Sequence, residues 1–95
     1  MDIRGVIWLA QFVEKLESKH NVSTSEVEDV LLSTRWIRRV QRGDVRGEDL
    51  YVALGQTQAG RYLAVFFVWK KSGDVLPISA RDMDRKERRL YARGN

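Results

Sequence analysis

Eight apolar residues in a row, Tyr62-Leu63-Ala64-Val65-Phe66-Phe67-Val68-Trp69, constrain this chain more than any other feature. The run does not alternate and is closed by Arg61 and Lys70. It therefore reads as a strand, Arg61 to Lys70, at the centre of a sheet and covered on both faces. Its neighbours follow from turn chemistry. Thr57-Gln58-Ala59-Gly60 reads as a hairpin turn, with Gly where a positive φ is wanted, and joins a preceding strand over Leu50 to Gly55. Ser72-Gly73-Asp74 turns the chain into a last strand, Val75 to Ala80, where Pro77 marks an edge or an outward donor-free position. Upstream, Trp36 to Val40 reads as a strand with Arg38 and Arg39 on opposite faces, followed by a loop over Gly43 to Gly47.

Ahead of these strands the period is helical. After a short strand at Gly5 to Trp8, residues Leu9, Phe12, Val13 and Leu16 predict a helix from Leu9 to about Ser18, with Asn21 as a left-handed cap. Ser23 and Glu26 form a capping box for a second helix that ends near Ser33 and carries Val27, Val30 and Leu31 on one face. Asp84 and Glu87 repeat the capping-box spacing for a final helix to about Arg93, with Gly94 as its stop. The expected fold is α+β: a strand, two helices, a mostly antiparallel four-strand meander and a C-terminal helix. Two helices suffice to cover one sheet face. The last helix offers only Met83, Leu90, Tyr91 and Ala92 for the other, so apolar surface is left over for a partner.

Ninety-five residues make one domain, residues 1–95, with no internal repeat or linker. Cys is absent and His occurs once. These counts remove disulfide scaffolds, Cys-based zinc sites, His-rich metal sites and cysteine nucleophiles; no metal or other cofactor is expected. No apolar run reaches the ~20 residues of a membrane span. Val6 to Ala10 is too short for a signal peptide, so the chain reads as cytoplasmic with no membrane partner. Charge is unevenly placed. Residues 1–34 have a net charge of −3, residues 35–80 of +4 and residues 81–95 of +3. Twelve of the 17 basic residues are Arg, whose planar fork matches phosphate. A basic back half suits nucleic acid or an acidic protein.

Arg85, Lys86, Arg88, Arg89 and Arg93 crowd the last helix, with Arg81 just before it at the exit of the last strand. Cutting RNA without metal requires a base for the 2′-hydroxyl, an acid for the leaving oxygen and cations for the charge on phosphorus. Glu87 and Tyr91 stand one helical turn apart beside Arg88 and supply those side-chain types, though solvated helices have similar compositions. Arg81 serves either a site or a salt bridge to Asp82 or Asp84. His20 suits the C-terminal end of the first helix, or acts as an acid or base. Arg61, Lys70 and Lys71 at the ends of the central strand, with Arg85 and Arg89, are RNA-binding candidates or plain solvated charges. Trp8, Trp36 and Trp69 read as core.

Three segments resemble the BrnT toxin family. Lys19-His20-Asn21-Val22-Ser23, whose His20 stands twelve residues after Trp8, is similar to the family's Lys-His-Gly-Val-Ser. Gly47 to Gly55 is similar to its Gly-Glu-Glu-Arg-Tyr-Val-Ala-Leu-Gly strand. Ile78-Ser79-Ala80-Arg81 followed by Arg85-Lys86-Glu87-Arg88-Arg89-Leu90-Tyr91 resembles its Ile-Ser-Ala-Arg…Arg-Arg-Glu-Arg-Arg-Leu-Tyr ending. The chain departs from the family at the first helix, where Leu9, Phe12 and Leu16 replace an acidic and polar opening, and at Asn21 in place of Gly. The resemblance implies a RelE-like toxin of a type II toxin–antitoxin pair, an endoribonuclease that needs no metal and stops translation. It implies a small ribbon-helix-helix antitoxin that covers the toxin and carries it to operator DNA. It places Arg81, Glu87, Arg88, Tyr91 and His20 on family positions as catalytic candidates. A non-catalytic module binding RNA or protein through the same basic face is the alternative.

Overall fold

The computed structural model describes residues 3–44 and 48–94. The strands are β1 (Gly5–Val6), β2 (Trp36–Gln41), β3 (Leu50–Gln56), β4 (Tyr62–Trp69) and β5 (Asp74–Asp82). The helices are α1 (Ala10–Lys19), α2 (Thr24–Ser33) and α3 (Arg85–Ala92). The strands form one sheet in the order β1-β5-β4-β3-β2. β4 is central, as its unbroken apolar run requires, and only β1 runs parallel to its neighbour. This is the expected α+β meander. Among the described residues no helix is long and apolar enough to cross a membrane.

Local chemistry sets the element ends. Asn21 takes φ 51°, and the Val22 N–H turns back to Leu16 O at 3.1 Å. Both capping boxes form. The Ser23 hydroxyl accepts from Glu26 N at 3.2 Å and Glu26 accepts from Ser23 N at 3.0 Å; Asp84 and Glu87 repeat this at 2.8 and 2.9 Å. Helix α1 starts and ends one residue later than the spacing predicts. The loop expected over Gly43 to Gly47 falls partly outside the described residues.

The last strand departs from expectation. It runs through Arg81 to Asp82, so Arg81 lies within the sheet and not beyond it. Pro77 is fully buried, and it acts at both edges of β5. Phe66 pairs with Ser79 and Phe67 with Pro77, leaving Ile78 as a bulge. On the other edge, Arg4 N donates to Gly73 O and Ile7 N to Val75 O, at 2.9 and 2.8 Å. The next rung would need an N–H at residue 77, which Pro lacks, so β1 stops after two residues.

Side-chain alternation sorts the sheet into two faces. One face carries Ala53, Leu63, Val65, Phe67, Trp69, Val75 and Ala80, buried against Leu16, Val27, Val30 and Leu31 of α1 and α2. Gly55 lets α2 come close, for a Cβ there would stand 2.9 Å from Val30 Cγ1. The opposite face has a smaller core of Trp36, Leu54, Ala64 and Met83, against which Leu90 and Tyr91 of α3 pack. No α3 side chain is fully buried. This second face is therefore only partly covered.

Candidate functional site

Arg81 and Ala64 face each other across β5 and β4, on the α3 side of the sheet. From there Arg81 reaches up to the first turn of α3. Its Nη1 donates to Glu87 Oε1 at 2.6 Å and its Nη2 to Oε2 at 2.9 Å, a two-pronged pair. The Glu87 side chain is 17% exposed and that of Arg81 39%, so the pair sits at the lip of the sheet. Glu87 also accepts the Asp84 N–H on the same Oε1. The predicted salt bridges of Arg81 to Asp82 or Asp84 do not form; the Asp82 contact is to its carbonyl oxygen, at 3.2 Å. Hydrogen bonding to Glu87 holds the Arg81 guanidinium above its ordinary basicity, against the opposing effect of burial.

Aromatic rings lie beneath these cations. The Arg81 guanidinium stands 5.3 Å from the centre of the Phe66 ring and that of Arg88 3.7 Å from the Tyr62 ring. Tyr91 meets Tyr62 edge-on at 6.1 Å. So Arg81, Glu87, Arg88 and Tyr91 gather where α3 crosses the sheet, on a floor of Tyr62 and Phe66. Arg85 and Arg89 are exposed on the same helix. Tyr62 and Phe66 were missed as site residues because an apolar run does not reveal which of its members stay at the surface.

His20 stands elsewhere. Adjacent strand residues point to opposite faces, so Asp82 faces away from Arg81. Asp82 lies opposite Leu63, on the face that α1 and α2 cover. There Arg61 joins it: Arg61 Nε donates to Asp82 Oδ1 at 2.8 Å, Nη1 to Asn21 O at 2.7 Å and to Glu26 at 3.3 Å, and Nη2 to His20 O at 3.3 Å. His20 enters this cluster through its carbonyl, at the end of α1. Arg61 ties the α1–α2 junction to the end of β5. Hydrogen bonding from Arg61 holds the Asp82 carboxyl pKa below its ordinary value. For Glu26 the Ser23 N–H is the larger cause and Arg61 the smaller. Lys70 pairs with Glu48 at 3.6 Å, while Lys71 is exposed in the β4–β5 turn. The three tryptophans are structural in part: Trp36 and Trp69 are buried, and Trp8 donates to Glu28 Oε2 at 2.7 Å. Among the described residues no three His, Cys, Asp or Glu side chains gather as metal ligands would.

The sheet is thus shielded by α1 and α2 on one side and sets arginine, carboxylate and tyrosine side chains together on the other. Over residues 8–87 the sequence matches the family described as the ribonuclease toxin, BrnT, of type II toxin–antitoxin systems. The match spans Trp8 to Glu87, from just before α1 into the first turn of α3, and includes His20 and Arg81. The class is thus the ribonuclease toxins of type II toxin–antitoxin systems. Within it, the chain belongs to the BrnT family. Arg88 and Tyr91 lie beyond the matched segment. No individual curated protein matches the chain.

Proposed function

We propose that this chain cuts RNA at the crossing of β5 and α3, with no metal ion in the reaction. The observation that carries this reading is the Arg81–Glu87 pair, a cation and a carboxylate held together on an open sheet face. In the cut, the 2′-oxygen bonds to the adjacent phosphorus, the bond from phosphorus to the 5′-oxygen breaks, and the leaving oxygen takes a proton. Arg81 and Arg88 hold the phosphate and oppose the charge that builds on it. An arriving phosphate competes with Glu87 for Arg81, which releases the carboxylate to take the 2′-hydroxyl proton. Tyr91, one turn further along α3, is the proton donor to the leaving oxygen. His20 is left out of this scheme because its cluster belongs to the other sheet face. Arg85 and Arg89 extend the phosphate-binding surface; Lys71 adds charge at the far end of β4. Cutting of messenger RNA would stop translation, and a small ribbon-helix-helix antitoxin seated on the basic face would block it and link the pair to operator DNA.

The test is incubation of the purified protein with labelled RNA in EDTA, beside Arg81→Ala and Glu87→Gln. Cleavage that persists in EDTA and falls at least a hundredfold in both variants is expected, from the usual contribution of a proton-transfer group or an oxyanion donor. Cleavage abolished by EDTA in the parent, or unchanged in both variants, would sink the scheme.

A further inference from the structure

Helix α3 leaves part of its sheet face open. In register, Arg38, Val52, Phe66 and Ser79 stand side by side across β2, β3, β4 and β5. They form the row next to Trp36, Leu54, Ala64 and Arg81, whose Trp36, Leu54 and Ala64 pack with Leu90 and Tyr91 of α3. Val52 and Phe66 are only half-buried, and Arg38 is exposed. Each end of this strip carries a guanidinium on an aromatic ring: Arg81 over Phe66 at 5.3 Å, and Arg38 over Trp36 at 4.7 Å. Arg38 Nη1 also donates to Ile37 O at 2.9 Å, which helps hold the side chain in place. Phe66 and Arg38 are two strand spacings apart, about 10 Å.

We propose that this strip seats single-stranded RNA and that Arg38 is a second anchor, binding a phosphate of a nucleotide that flanks the one cut at Arg81. The inference rests on the ribonuclease reading above. A half-buried apolar floor between two cations matches a strand with charged backbone and exposed base faces. A base beside the cut lies on Val52 and Phe66 while its flanking phosphate meets the fork of Arg38. Duplex RNA hides its base faces and does not offer this match. Arg38 acts by positioning; no reacting atom is assigned to it.

The experiment measures KM and kcat on a short single-stranded RNA, and the salt dependence of binding to it by anisotropy, for the parent, Arg38→Ala, Arg38→Lys and Arg81→Ala. For Arg38→Ala we expect KM to rise about three- to fivefold, kcat to stay within about twofold, and the slope of log Kd against log salt to fall by about 0.7. Arg38→Lys should restore the slope and only part of the KM. An annealed duplex of the same sequence should bind the parent more weakly and show no Arg38 effect. Unchanged KM and slope in Arg38→Ala, with Arg81→Ala inactive, would overturn this inference and leave the ribonuclease reading standing. Arg81→Ala cutting like the parent would overturn that reading instead. Even if the parent cuts nothing, the salt slope on intact RNA decides whether Arg38 binds the strand.

Discussion

Glu87 answers to three N–H donors, two from Arg81 and one from the Asp84 backbone. That gives it a part in the helix cap as well as in the candidate site, and the two parts are separable. Glu87→Gln keeps an acceptor for the Asp84 N–H but loses the charge opposite Arg81. Its melting temperature should fall by only a few degrees, roughly 1 kcal/mol, while activity collapses. Arg61 presents the reverse case. Its side chain is 26% exposed and serves two carboxylates and two carbonyls, so Arg61→Ala should cost about 1–2 kcal/mol in chemical denaturation. The same cluster sets an acid limit. Glu26 and Asp82 both have lowered pKa values in the fold, so their stabilising effect is complete above the ordinary carboxylate range near pH 4 and is lost as pH falls through their lowered values. Melting temperature should therefore drop below about pH 4, and this drop should shrink in Arg61→Ala. A pH profile equally steep in that variant would refute the assignment. Asp82 is well exposed, so the effect is modest.

At the scale of elements, the helix ends and turns were legible because their chemistry is local. Ser23 with Glu26, and Asp84 with Glu87, satisfy backbone donors three residues away, and Asn21, Gly60 and Gly73 occupy positive φ where the chain turns. Less legible was the length of β5. The pattern ends the strand at Ala80 with Arg81 at its exit, yet the backbones of Arg81 and Asp82 pair with Ala64 and Leu63. Pairing is decided by the partner strand and is not visible in the residues themselves. Pro77 signals an edge strand or an outward donor-free position, but β5 lies between β1 and β4 with Pro77 buried, and the physical effect of the proline is to end the β1 ladder and to accompany the bulge at Ile78. Pro77→Ala restores the missing N–H and should lengthen the β1 pairing, seen as a new protected amide at residue 77 in hydrogen exchange.

Across the whole molecule, two layers differ in strength. One sheet face buries Leu16 of α1 and Val27, Val30 and Leu31 of α2, whereas α3 contributes no fully buried side chain. Amide exchange should accordingly be slowest in β4 and much faster in α3, which opens without unfolding the sheet. Equal protection in α3 and β4 would show a single cooperative unit instead. The sequence by itself determined the order of elements, the central place of the apolar run, the caps, and the family to which the residue pattern belongs, because these depend on spacing along the chain. Tertiary structure alone decided that Arg81 reaches Glu87 and not its nearer acidic neighbours, that Tyr62 and Phe66 form the floor beneath the arginines, that Arg38 shares a row with Phe66, and that His20 lies beyond the opposite face. Each of these depends on strand register and on which face a side chain takes, and a shift of one residue in pairing would exchange the faces.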